Sequence, residues 1–83
     1  MRYYILPVKN FKCKYHKTDG INLWFFIDAE GDHLFGKWYT VATVTNYHKK
    51  YIKYCNKHPE FEISEEEALK YTESISMLAE LGK

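Results

Sequence analysis

The spacing of apolar residues changes near residue 45, and the two regimes predict different structure. Before that point it follows strands. Tyr3-Tyr4-Ile5-Leu6 is β-prone, with Pro7 placing it at an edge or at its own end. Phe11, Cys13 and Tyr15 alternate with Lys12, Lys14 and His16, the period-two pattern of a strand with one wet face. Asp19-Gly20 suits the left-handed dihedrals of a hairpin turn, and Ile21 to Ile27 reads as the returning strand. Its core, Leu23-Trp24-Phe25-Phe26-Ile27, is apolar on both faces, as a central strand would be. Glu30-Gly31-Asp32 makes a second turn, and Leu34 to Thr45 is rich in β-branched and aromatic residues, with Gly36 expected as a bulge.

Two helices follow. Thr45 or Asn46 can cap the first and Pro59 ends it. Tyr47, Tyr51, Tyr54 with Cys55, and His58 recur at helical spacing and predict its inward face. Ser64-Glu65-Glu66-Glu67 reads as a capping box, Ser64 serving the amide of Glu67 while the Glu67 side chain reaches back. Three glutamates in the first turn suit the positive end of the helix dipole. Ala68, Tyr71, Ile75 and Leu78 are expected on the buried side, and Gly82 as the stop. Phe61 and Ile63, between the helices, form a short strand or tuck into the core.

The fold class expected is α+β: a small antiparallel meander of three to four strands, then two C-terminal helices. Residues 1–83 form one globular domain, mainly β over 1–45, with a basic helix over 46–58 and an acidic-start helix over 64–81. So short a chain has room for one small core. Apolar residues make up 46% of it and aromatics 18%, enough to exclude disorder. The first residues are too short and polar for a signal peptide, and no run approaches the ~20 apolar residues a membrane span needs. Two cysteines do not make a secreted disulfide scaffold, so the expected location is the cytoplasm, with reduced thiols. Lysine outnumbers arginine eleven to one and residues of AT-rich codons abound, which points to a low-GC bacterium or one of its phages.

Net charge is +1, but residues 1–58 carry ten Lys/Arg against four Asp/Glu, and residues 59–83 carry two against seven. The halves can attract each other, or mark an interaction face. Lys49, Lys53 and Lys57 lie at i, i+4 and i+8, with Lys50 and His48 beside them, opposite the tyrosine face. Such a ridge attracts phosphates, and it is equally what the solvated side of an amphipathic helix looks like. It lacks arginine, the residue that grips phosphate bidentately.

Cys13 with His16, and Cys55 with His58, share a Cys-x2-His spacing, the ligand set of a closed zinc site. Positions i and i+3 of a straight strand point to opposite faces, and Cys55 on the tyrosine face is also an ordinary small core residue. No cofactor or metal is therefore assigned. Asp28, Glu30, Asp32 and His33 decorate the second turn, without the spacing of a calcium loop. There is no phosphate-cradling glycine loop and no nucleophile elbow, so an enzyme is not expected.

Fifteen aromatics exceed what one small core hides if the sheet has one wet side. Tyr3, Tyr4, Trp24, Trp38, Tyr39 and Tyr47 are the rings in question, and exposed Tyr and Trp favour interfaces. Self-association or a partner follows as the expectation. The Lys/Tyr-rich composition and the segment Glu62-Ile63-Ser64-Glu65-Glu66-Glu67-Ala68 resemble small phage-encoded accessory proteins that antagonise host defence. That resemblance implies a non-enzymatic role: an inhibitor masking a host protein, or a homo-oligomeric sponge for a nucleotide signal. A sponge would stack a base on aromatics such as Trp38 and Tyr47 and hold phosphates with Lys49, Lys50, Lys53 and Lys57. The alternatives are a nucleic-acid-binding regulator using the basic helix, and a zinc-stabilised interaction module.

Overall fold

The structure is a computed structural model that describes residues 1–7, 14–40 and 46–82, with the side chains of Asn46 and Tyr47 excepted. Five antiparallel strands form one sheet: β1 (Arg2–Ile5), β2 (Tyr15–Thr18), β3 (Leu23–Phe26), β4 (Trp38–Tyr39) and β5 (Glu62–Ile63), in the order β4-β3-β2-β1-β5. Two helices follow the meander in sequence, α1 (Asn46–Lys57) and α2 (Glu65–Leu81), with a short 3-10 turn at Pro59–Phe61. The α+β class holds, with one strand more than the meander. β5 pairs Ile63 with Tyr3 and Glu62 with Tyr4.

Local chemistry sets the turns. Asp19 Oδ1 accepts from the amides of Ile21 and Asn22 at 2.9 and 2.7 Å, and the Thr18 hydroxyl donates to Asn22 O and accepts from Gly20 N. With Thr18 paired to Leu23, the β2–β3 connection is a loop of four residues, wider than a two-residue Asp-Gly turn. Beyond β3, Ile27 N donates to Lys37 O while Ile27 O accepts from Gly36 N, so one residue faces two. That is a bulge with its glycine in the left-handed region, at φ +82°. The strand expected over 34–45 is accordingly reduced to Trp38–Tyr39, residues 33–36 being turn. Its last part, and the Phe11–Cys13 part of the second strand, lie outside the described residues.

Each helix covers one face of the sheet. Tyr4, His16, Phe25 and Leu23 point to α1, where Ile52 and Cys55 are buried and Tyr51 packs against both apolar clusters. The alternate residues Tyr15, Phe26 and Trp38 point the other way. There Tyr71 of α2 stacks on Tyr15 at 4.4 Å and 9°, meets Phe26 edge-on, and donates its hydroxyl to Asp28 Oδ2 at 3.1 Å. The sheet therefore has no fully wet side, which absorbs the aromatic surplus. Tyr3 and Tyr4 are buried, Trp24 and Trp38 half-buried, and Tyr39 remains exposed.

Inward faces shift from those expected. His48 is 2% exposed and faces Phe25, so it belongs to the core and not to the lysine ridge. On α2 the buried residues are Ala68 and Thr72, while Leu78 is exposed. A helix of this length runs about 25 Å, whereas four-residue strands span about 13 Å, so its last turns overhang the sheet. At the other end Ser64 Oγ accepts from Glu67 N at 3.1 Å; the returning arm of the capping box is not formed among the described residues. Ser64→Ala is expected to cost about 1 kcal/mol by urea denaturation, the usual worth of a side-chain cap.

Candidate functional site

Among the described residues, the exposed side chains of α1 are cations and an amide: Lys49, Lys50, Lys53, Asn56 and Lys57. The sequence carries no Asp or Glu between Asp32 and Glu60, so the helix has no acid of its own. With His48, Ile52 and Cys55 turned to the sheet, the helical period leaves Lys49, Lys50, Lys53 and Lys57 on the far side, all exposed. The fold adds the chain's single arginine. Arg2, at the start of β1, lies over the Tyr4 ring and donates from Nη2 to Asn56 Oδ1 at 2.8 Å. A guanidinium has only donors, so the Asn56 oxygen must face it and the Asn56 NH2 is turned away, ready to donate. The ion pairs among the described residues, His33 with Asp32 and His58 with Glu60, use no lysine or arginine.

Beside this face lies an open groove of about 420 Å³, between α1 and the β2–β3 loop. Lys49, Lys53 and Asn56 border it, and Gly20, Ile21 and Ile52 give it an apolar lining. Ile21 is 71% exposed.

No protein-family model, no curated protein and no solved structure matches the chain. The chemistry of the site is thus what bears on its use.

Of the residues expected to bind a ligand, Lys49 and Lys53 share the groove, and Lys50 and Lys57 extend the same helix face. Trp38 is elsewhere. It sits on the α2 side of the sheet, against Phe26 at 5.3 Å and Tyr3 at 6.2 Å, with Lys17 Nζ held 4.4 Å from its ring centre. Burial lowers the Lys17 pKa there. A base stacked on Trp38 and phosphates on the ridge are thus on opposite sides of one protomer. The Tyr47 side chain lies outside the described residues.

The Cys-x2-His pairs take separate paths. Cys13 is outside the described residues. His16 is fully buried, edge-on to Phe25 at 5.0 Å, with Nδ1 donating to Lys14 O. Cys55 lies in the Tyr4–Leu6 cluster, where burial pushes its thiol up to about 11, away from the thiolate a metal needs. His58 packs between Tyr54 and Phe61 and donates to Glu60 at 2.7 Å. Among the described residues no three His, Cys, Asp or Glu side chains converge as metal ligands. In the acidic turn, Asp32 Oδ1 accepts from Leu34 N and Asp28 accepts from Tyr71, both structural uses.

What sequence reasoning missed is Arg2, Asn56 and Ile21. Arg2 and Asn56 are 54 residues apart, so no local spacing links them. Ile21 carried a signal, being a β-branched residue beside a turn, but it read as the first residue of a strand.

Proposed function

We propose that this is a non-enzymatic binding protein that captures an acidic partner stoichiometrically on the face formed by Lys49, Lys50, Lys53, Lys57 and Arg2. The observation that supports it is the cation set without an ion-pair partner among the described residues, on an acid-free helix. Most surface helices intersperse acids that neutralise their lysines; this one leaves its charge for something outside the chain. The resemblance to phage-encoded antagonists makes the partner a host protein whose acidic surface is masked. With Trp38 on the opposite side of the sheet, a nucleotide signal would be sequestered by bringing Trp38 of a second copy to the lysines. The exposed Met77, Leu78 and Leu81 on the overhanging end of α2 offer that copy a surface.

Reversing Lys49, Lys50 and Lys53 to Glu tests the reading. Binding of labelled polyglutamate, followed by fluorescence anisotropy, is expected to weaken by about tenfold or more. Thermal stability should hardly move, because substitutions at exposed positions are usually worth within about 0.5 kcal/mol. Unchanged affinity would overturn the proposal. Tighter binding to a single-stranded oligonucleotide than to polyglutamate, with a steep fall in salt, would reassign the face to nucleic acid.

A further inference from the structure

We infer that the groove between the β2–β3 loop and α1 receives one apolar side chain of an acidic peptide segment. Ile21 and Ile52 would take the anchor, and Lys49, Lys53 and Asn56 the carboxylates that flank it. The inference rests on the acidic-partner reading above and narrows it to a chemical class.

Ile21 carries the argument. The loop it occupies is already fixed by the Asp19 carboxylate, the Thr18 hydroxyl and the left-handed backbone of Gly20, at φ +99°. Of Ile21 that turn uses only the backbone N–H, and the side chain stands 71% exposed at the loop tip. A single exposed apolar side chain is ordinary on a protein surface, but this one shares a groove with a second isoleucine, so the two form a joint apolar lining. Directly beside it, Ile52 closes the floor of the groove while keeping 9% of its own surface accessible. Gly20 leaves the wall low, since a Cβ there would meet nothing within 4 Å.

The rim supplies the charge. Lys49 and Lys53 are one helical turn apart, about 6 Å along the axis, and Asn56, whose oxygen is taken by Arg2, keeps its NH2 to donate. The result is an apolar floor with donors and cations along one side, complementary to a leucine-like side chain between carboxylates. A nucleic acid would use the lysines but not the floor, because among the described residues no aromatic ring lines the groove to stack a base. The volume, about 420 Å³, is at the lower end of ligand-sized sites and leaves room for one branched apolar side chain.

The test compares two fluorescein-labelled peptides, one glutamate-rich with a single central leucine, the other with glycine in its place. Wild-type protein is expected to bind the leucine peptide about tenfold more tightly, a difference of ~1.4 kcal/mol. Ile21→Ser should erase that preference and leave the weaker, salt-sensitive binding of the glycine peptide intact. Ile21→Leu should retain it, which separates an anchor role from any effect on the loop. Equal binding of both peptides by wild type, or an unchanged preference in Ile21→Ser, would overturn the inference. If Lys49→Glu with Lys53→Glu still abolished binding of both, the charged-face reading would survive that failure. If the charge reversal changed nothing, both readings would fall. An oligonucleotide that displaces the leucine peptide equally well from wild type and Ile21→Ser would also overturn the anchor.

Discussion

Gly36→Ala is expected to lower the stability of the protein by about 3 kcal/mol, combining the penalty of a left-handed non-glycine residue with that of overpacking. Two independent features converge on this residue. Its φ of +82° closes the bulge against Ile27, and α2 passes directly over it. A Cβ at position 36 would lie 2.7 Å from Ala79 Cβ and 3.2 Å from Ser76 Cα, neither of which can swing aside as a flexible side chain would. Relief requires shifting the helix, and a shift would stretch the 2.6 Å bond from Ser76 Oγ to Gly36 O. Denaturation of a double-mutant cycle with Ala79→Gly separates the causes. Removing the Ala79 methyl should recover about 1 kcal/mol of the loss, relative to the cost of Ala79→Gly alone, because only the clash is shared. A cycle with no coupling would mean that backbone conformation alone makes position 36 intolerant. Small domains hold about 5–15 kcal/mol in total, so either component is a substantial share.

Acid should expose the second large effect. Burial drives the His16 imidazole down to about 4. Nδ1 donates to Lys14 O, which leaves Nε2 as a buried acceptor with no hydrogen-bond partner among the described residues. The groups facing it are the rings of Phe25 and Tyr51, and across the strand pair Tyr4, none of which offers a counter-charge. The unfolded chain takes up a proton near pH 6.5 and the folded chain does not until about 4. Stability is therefore complete above about pH 6.5 and declines as pH falls toward 4, by about 3 kcal/mol in all. Asp19 and Glu60, whose carboxyls are held low by hydrogen bonds, begin to lose their contributions in the ordinary carboxylate range, at the acid end of this window, and finish below it. Urea midpoints measured across this window should slope for wild type and be nearly flat for His16→Leu. That substitution leaves Lys14 O still bonded to Leu6 N, so it creates no new unmet group. An equal slope in both proteins would put the acid-sensitive group elsewhere.

Features governed by neighbours in sequence could be read from the chain. The Ser64 cap, the stop at Pro59, the turn at Asp19-Gly20 and the Gly36 bulge each depend on a few adjacent residues whose backbone preferences agree. Features set by distant pairing could not. β5 exists because Ile63 and Glu62 complete a ladder with Tyr3 and Tyr4, which no two-residue segment specifies alone. His48 reads as polar and sits next to lysines, yet with Ile52 and Cys55 it follows the helical period of the core side. Leu78 reads as core by periodicity, but periodicity does not say where the sheet beneath a helix ends. The site divides the same way: the lysine ridge is visible as i, i+4, i+8 spacing, whereas its arginine arrives from the other end of the chain.

The place of β2 in the strand order has a kinetic meaning for His16. His16, Lys17 and Thr18 are paired on both sides, with Tyr4, Tyr3 and Arg2 on one flank and Phe25, Trp24 and Leu23 on the other. The middle strand of a sheet opens last, so its amides exchange with solvent only through the most complete openings. The imidazole shares that confinement. A proton reaches Nε2 when the centre of the sheet comes apart, which ties protonation to unfolding of the whole chain. Lowered pH then traps the opened chain and slows its refolding without hastening the opening itself, and the slowest-exchanging amides become the gauge of how fast His16 meets water.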